Sequence, residues 1–193
     1  MFFQRTNVKS DPVQRWHRPD RHFFANGACQ VLAHVFLEIY PDLDFRARWI
    51  KPASGQIGNN IYVTDGVLAF DYHGLTTEQR LLSLAFRRGR RFFPGWDATL
   101  PADVLVSEAK SRTYEGLWLR EPNRFLHDAM PRARAFVQRF GDLRSDIMDL
   151  RDRLNAQQAQ DELNEVKPII DTSVDGTMMG FAGARPILCT ESR

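Results

Sequence analysis

Apolar side chains first recur at helical spacing between Gly27 and Tyr40, where one face carries Val31, Leu32, Val35, Phe36 and Ile39. This spacing predicts a buried helix over 27–40, because residues three and four apart share a helix face. Asn26 is the predicted N-cap, and Pro41 ends the helix. The preceding residues, 1–26, contain two prolines and are not expected to form a long helix.

A strand-like pattern follows the first helix. Residues 45–51 alternate apolar and basic side chains, as a half-buried strand does. Two further β-rich stretches, 60–64 and 67–72, flank the dipeptide Asp65-Gly66, which is typical of a tight hairpin. We therefore predict a small antiparallel sheet next to the first helix.

Two more helices are predicted in the middle of the chain. Thr76-Thr77-Glu78 opens one that reaches about Arg91. Another begins at Glu121-Pro122, because proline suits a first helical turn, and Pro131 should bend it. Between them, residues 104–106 fit a short strand.

A long helix is predicted over 142–166, with a heptad-like seam of Leu143, Ile147, Leu150 and Leu154. The seam favours packing on the core, and homodimerisation through this helix is the alternative. The chain after this helix has little periodicity and is predicted to be irregular. We therefore predict an α+β fold with a domain over 1–140 and a C-terminal helix and tail over 141–193.

Composition and charge limit the class of protein and the kinds of partner that the sequence suggests. The chain has 193 residues, 43% of them hydrophobic and 26% charged, which suits a folded globular protein. Its formal net charge is +2, so charge alone demands neither a nucleic acid nor an anionic membrane as partner. The arginines at 87, 88, 90 and 91 are expected to form a solvated helix end, with a phosphate or nucleic-acid patch as the minor alternative.

The two cysteines, Cys29 and Cys189, are far apart and suggest neither a disulfide framework nor a zinc site. No signal peptide is recognisable and no apolar run has the length of a membrane span, so we expect a cytoplasmic protein with free thiols. His17, His22 and Asp20 are a weak ligand set. We therefore expect no metal and no cofactor.

Cys29 is the residue whose position suggests chemistry. It follows Gly27 and Ala28 at the start of the first predicted helix, where the helix dipole favours a thiolate. A lowered thiol pKa would make Cys29 a nucleophile, and its own N–H with the Asn26 amide could hold an oxyanion. The alternative is that Cys29 is a small buried apolar residue, the usual state of a lone cysteine.

A cysteine nucleophile needs a base, and the base needs an orienting group. His73 is the candidate base and Asp71 the candidate orienting group, because residues two apart on a strand face the same side of the sheet. Asn60, which opens the preceding strand, is the candidate polar group of the pocket. These residues, with Cys29, form the predicted catalytic site.

Three short segments carry a resemblance to a known family: GACQVLA at 27–33, GNNIYV at 58–63 and AFDY at 69–72. They resemble the papain-like cysteine hydrolase superfamily, including its transglutaminase-like and NlpC-type branches, over roughly residues 20–75. The resemblance implies a cysteine at a helix start, a histidine opening a strand and a polar residue on the next strand. It also implies a papain-like core of one helix packed on a small antiparallel sheet.

One position departs from that family pattern, because Asn60 stands where the family has its histidine. Asparagine cannot act as a general base at neutral pH. Either His73 takes over the role of the base, or the fold is kept and the activity is lost.

Two functions are therefore predicted. The first is a cysteine hydrolase or acyltransferase acting on an amide, peptide or thioester bond, with a peptide or protein as substrate. The alternative is an inactive papain-like protein that binds a protein partner through the same cleft or the C-terminal helix. Trp96 and Trp118 are candidate walls of the substrate site, although large aromatic residues more often belong to a core.

Overall fold

The computed structural model describes residues 11–100, 112–114, 117–119 and 125–165. The chain divides into two compact units, Met1–Ala156 and Gln157–Arg193. The predicted strand over 104–106 and the predicted irregular tail lie outside the described residues. None of the helices in the described ranges combines the length and the apolar character that a membrane span needs.

The fold is α+β, as predicted. Five strands form one antiparallel sheet: β1 (Arg46–Pro52), β2 (Asn60–Thr64), β3 (Leu68–Asp71), β4 (Gly74–Thr77) and β5 (Ala98–Thr99). Their order across the sheet is β4-β3-β2-β1-β5. A separate antiparallel pair is formed by β6 (Arg112–Tyr114) and β7 (Leu117–Leu119).

The predicted hairpin is confirmed. Three residues, Asp65, Gly66 and Val67, connect β2 to β3, so β3 begins one residue later than predicted. Gly66 has a positive φ of 97°, which favours glycine in such a turn. The Asp65 carboxylate accepts hydrogen bonds from the backbone N–H of Val67 and of Leu68, at 2.8 and 2.7 Å. The strand β4 was not predicted, because its Thr76 and Thr77 also fit a helix start.

Six helices are described: α1 (Pro12–Trp16), α2 (Asp20–Ala25), α3 (Cys29–Ile39), α4 (Glu78–Phe92), α5 (Ala129–Gln138) and α6 (Leu143–Glu165). The helices predicted over 27–40, 76–91 and 142–166 are confirmed as α3, α4 and α6, with ends that differ by a few residues. The helices α1 and α2 are each too short to show a periodicity in the sequence.

The predicted N-cap of α3 is wrong. Ala28 occupies the cap position, with no hydrogen bond from its side chain. Asn26 instead ends α2, and its Nδ2 donates to the carbonyl of His22 at 2.7 Å. Gly27, with a φ of 107°, turns the chain between the two helices and separates Asn26 from α3.

The predicted start of the third long helix is also wrong. Residues 125–128 are not helical, and α5 begins at Ala129, where the Asp128 carboxylate accepts from the N–H of Met130 at 2.9 Å. Pro131 therefore lies in the first turn, where a missing N–H breaks no hydrogen bond within the helix. A proline in this position fits the helix start and does not require the predicted bend.

The sheet separates two apolar cores. On one face, α3 and α5 pack over the larger core, whose members include Phe24, Phe36, Ile61, Phe70, Tyr72 and Phe136. On the other face, α4 packs over the smaller core of Ile50, Tyr62, Ala69, Leu81, Ala85 and Trp96. Successive strand residues therefore belong to different cores, as the alternation of side chains along a strand requires.

The predicted seam of α6 contacts this chain's own core. Leu143 and Ile147 are fully buried in the larger core, and Leu150 and Leu154 pack partly buried against it. This part of α6 thus belongs with the first unit, beyond the predicted boundary after residue 140. The described residues of the second unit, 157–165, are helical.

Candidate functional site

Cys29 is the first residue of α3, as predicted, but it lies inside the larger core. Its side chain is 6% exposed. The thiol donates to the side-chain Oε1 of the neighbouring Gln30 across 3.9 Å.

The predicted lowering of the thiol pKa is wrong. Burial raises the pKa of Cys29, because a thiolate would lose its hydration inside the protein. Backbone groups of Ile61 and Gln30 lower it to a smaller extent, and the negative charge of Asp71 raises it further. The desolvation of Cys29 therefore outweighs the favourable position at a helix start.

The other predicted site residues form a connected polar network. Asn60 Nδ2 donates to Asp71 Oδ2 at 3.1 Å. Asp71 Oδ1 lies 2.7 Å from the backbone nitrogen of His73 and 3.0 Å from its ring Nδ1. Arg88 Nη1, from α4, lies 2.8 Å from His73 Nε2. The prediction that Asp71 and His73 share one side of the sheet agrees with this geometry.

The network determines which nitrogen of His73 carries the proton. A guanidinium can only donate, so Nε2 accepts from Arg88. Nδ1 then carries the hydrogen and donates it to Asp71. In this arrangement the neutral ring has no lone pair left with which to accept a proton from Cys29.

The thiol and the imidazole lie on different faces of the sheet. Ile61 and Tyr72 belong to the larger core with Cys29. Asn60, Asp71 and His73 line a cavity on the side of α4, with Leu81, Leu84 and Ala85 of that helix opposite them. Tyr72 and Thr76 also line this cavity. The sheet thus brings Asn60, Asp71 and His73 together, but it does not bring them to the side of the sheet where Cys29 is buried.

The remaining predicted site residues have structural contacts. Trp96 is 1% exposed, its indole Nε1 donates to the carbonyl of Ile57 at 2.8 Å, and its ring packs edge-on against Phe86. Asn26 is buried and caps α2, as described above. Trp118 lies in β7, and its side chain is outside the described part of the structure.

An open groove on the outer surface of α4 was not predicted. Its lining residues are Leu82, Ser83, Phe86, Arg87 and Arg90, which all belong to α4, so the groove is a shallow, open surface on one helix. The guanidinium of Arg90 lies over the Phe86 ring, 5.6 Å from its centroid, and its Nε donates to the Trp96 carbonyl at 3.4 Å. The sequence signal for it is the arginine cluster at 87, 88, 90 and 91, for which a solvated helix end is the prediction.

Comparisons with known proteins found no relative of this chain. No protein-family model, no curated protein and no solved structure matches the chain. The papain-like resemblance therefore stays a prediction from three short segments, beside an α+β fold that the structure describes directly.

Proposed function

We propose that this chain is a non-catalytic binding protein, and that the groove on α4 takes an acidic, partly apolar peptide segment of a partner protein. The groove itself is the observation that carries the proposal, because it combines an apolar floor with an arginine rim on an exposed helix face. The inner face of the same helix is held in the smaller core by Leu81 and Ala85. A rigid helix face is a favourable place for a binding site.

The charge of α4 favours an anionic partner. The helix carries five arginines, and Arg80, Arg87, Arg90 and Arg91 are exposed. Its single acidic residue, Glu78, is buried and occupied by contacts with Tyr62 and Arg48, at 2.8 and 3.3 Å. The outer face therefore presents positive charge, which attracts and orients carboxylates.

The floor of the groove favours a peptide over a nucleic-acid backbone. Leu82 and Phe86 are half-buried, so each leaves apolar surface available to a ligand. An apolar side chain of a peptide can cover that surface, whereas a sugar-phosphate backbone offers little apolar area. Arg90 is already held by the Phe86 ring and the Trp96 carbonyl, which lowers the entropy lost on binding.

The thiol geometry favours this proposal over the predicted cysteine hydrolase. Hydrolysis through Cys29 needs an accessible thiol with a base in contact. Here burial raises the thiol pKa, and the His73 ring is engaged by Asp71 and Arg88 on the other side of the sheet. We also propose that the protein is cytoplasmic. Homodimerisation through residues 142–166 is a separate prediction that does not depend on the groove.

The test measures binding of a fluorescein-labelled peptide of Glu, Asp, Leu and Phe to the full chain by fluorescence anisotropy. We expect saturable binding that weakens with salt, because the contacts with the arginines are electrostatic. The double substitution Arg87→Glu and Arg90→Glu should abolish binding, and Leu82→Ser should weaken it with little change in the salt dependence. The matched control is Arg153→Glu, an exposed arginine of α6 that should leave binding unchanged.

Three results would overturn the proposal. One is peptide binding that the Arg87→Glu and Arg90→Glu substitutions leave intact. Another is tighter binding of a single-stranded oligonucleotide than of the acidic peptide, which would assign α4 to nucleic acid. The third is cleavage of a peptide or thioester substrate that is lost in Cys29→Ala, which would restore the hydrolase prediction.

A further inference from the structure

One buried acceptor of the polar network lacks a partner. The Asn60 side chain is 4% exposed, and its Nδ2 is used in the hydrogen bond with Asp71. Its Oδ1 is buried and has no hydrogen-bond partner among the described residues. Burying an amide oxygen without a partner is costly, so such atoms are usually paired with protein or with an internal water.

The same side chain lines a small cavity between the sheet and α4. The cavity has a volume of about 20 Å³ and is lined by Asn60, Asp71, Tyr72, His73, Thr76, Leu81, Leu84 and Ala85. A space of this size accommodates one water molecule and excludes any larger ligand. We infer that the cavity is a binding site for one internal water molecule, which donates a hydrogen bond to Asn60 Oδ1.

The lining chemistry selects water over a metal ion. An internal water needs two to four polar partners, and the Asp71 carboxylate and the Thr76 hydroxyl line the cavity beside Asn60. Hard cations of the size of Ca²⁺ require about six or more oxygen ligands, whereas this lining offers a single carboxylate, whose oxygens already accept from Asn60 and His73. A neutral donor of the size of water satisfies Oδ1 without adding charge near Arg88.

The water would complete the link between the sheet and α4. Through Asn60 it would join the network that continues over Asp71 and His73 to Arg88. The site lies under the inner face of α4, whereas the groove of the proposed function lies on the outer face. The inference is therefore independent of that proposal, and the two can fail separately.

The direct test is magnetic relaxation dispersion of water oxygen-17 in a solution of the full chain, which counts long-lived internal waters. We expect the Asn60→Leu variant to lose about one such water relative to the unsubstituted chain, in line with a cavity that holds a single molecule. An unchanged count in a folded Asn60→Leu variant would overturn the inference. So would a high-resolution crystal structure with no density in the cavity.

A second test needs only thermal unfolding. Ala85→Val should fill the cavity, displace the water and leave Asn60 Oδ1 unpaired, which lowers Tm by several degrees. The same change in an Asn60→Leu background should lower Tm much less, because no amide is then left unpaired. Equal shifts in the two backgrounds, or a higher Tm for Ala85→Val alone, would show a dry cavity and overturn the inference.

Discussion

The Asp71 carboxylate binds His73 at two points, because its Oδ1 accepts both from the backbone N–H at 2.7 Å and from the ring Nδ1 at 3.0 Å. The far side of the ring accepts from Arg88 of α4 at 2.8 Å. A histidine held in this way connects the end of β3 to the helix that covers the smaller core.

This arrangement predicts that Asp71→Ala destabilises the protein more than His73→Ala does. Removing the buried carboxylate leaves Asn60 Nδ2 and the His73 groups without their acceptor, whereas His73 itself is partly exposed. An unsatisfied buried donor costs about 1–3 kcal/mol in the free energy of unfolding. Urea unfolding of both variants measures the difference, and equal losses would contradict the structural role given to Asp71.

The buried thiol predicts slow alkylation of Cys29. Because its pKa is raised and its sulfur lies in the larger core, iodoacetamide near neutral pH should label Cys29 more slowly than an exposed cysteine. Peptide mapping by mass spectrometry follows the label at Cys29 separately from Cys189, and the urea-unfolded chain is the control. Fast labelling of Cys29 in the folded protein at slightly acidic pH would instead indicate an activated nucleophile.

The larger core also predicts a loss of stability at high pH. Burial raises the pKa of Cys29 and that of Tyr72, so both groups keep their protons in the folded state. In the unfolded chain they release them near their usual values, about 8.5 for cysteine and about 10 for tyrosine. The folded state thus binds more protons than the unfolded state, and the free energy of unfolding falls as pH rises through these values.

Chemical unfolding at a series of alkaline pH values tests this expectation. The Tyr72→Phe variant should show a shallower loss of stability above about pH 10, because it removes a buried group whose pKa is raised well above its usual value. His17→Ala, a substitution at an exposed site, serves as the control. An identical pH profile for Tyr72→Phe and the unsubstituted chain would show that Tyr72 does not carry this effect.

The close approach of Gly89 in α4 to the Trp96 ring predicts that alanine at position 89 does not stabilise the helix. A Cβ added at this position would clash with the Trp96 ring, which is fixed by its hydrogen bond to Ile57. Alanine favours a helix by about 1 kcal/mol over glycine, but overpacking against a rigid ring costs about 1–3 kcal/mol. We therefore expect Gly89→Ala to lower or fail to raise Tm.

The matched control lies in the same helix. Ser83 is exposed, so Ser83→Ala gains helix propensity without a clash and should raise Tm slightly. Combining Gly89→Ala with Trp96→Leu should remove most of the penalty attributed to the close approach of the two residues. Stabilisation by Gly89→Ala alone would mean that the Trp96 ring moves freely.

The sequence predicted the elements whose periodicity is long enough to measure. The helices α3, α4 and α6 follow from apolar spacing, and Asp65-Gly66 predicts its turn because few dipeptides fit the required backbone angles. The pairing of Asp71 with His73 also follows from the sequence, because side chains two apart on a strand share a face. The sequence pattern did not predict the short helices α1 and α2 or the start of α5, since one or two helical turns show no periodicity.

Tertiary packing alone decided which side of the sheet Asn60, Asp71 and His73 face. All residues of β2 and β3 are buried, so their sequence shows no polar face that would identify the side carrying α3. Packing places Ile61 and Tyr72 beside Cys29 and turns Asn60 and Asp71 toward α4. The position of Cys29 at a helix start was visible in the sequence, but its pKa depends on hydration, and hydration is determined by residues distant in the chain.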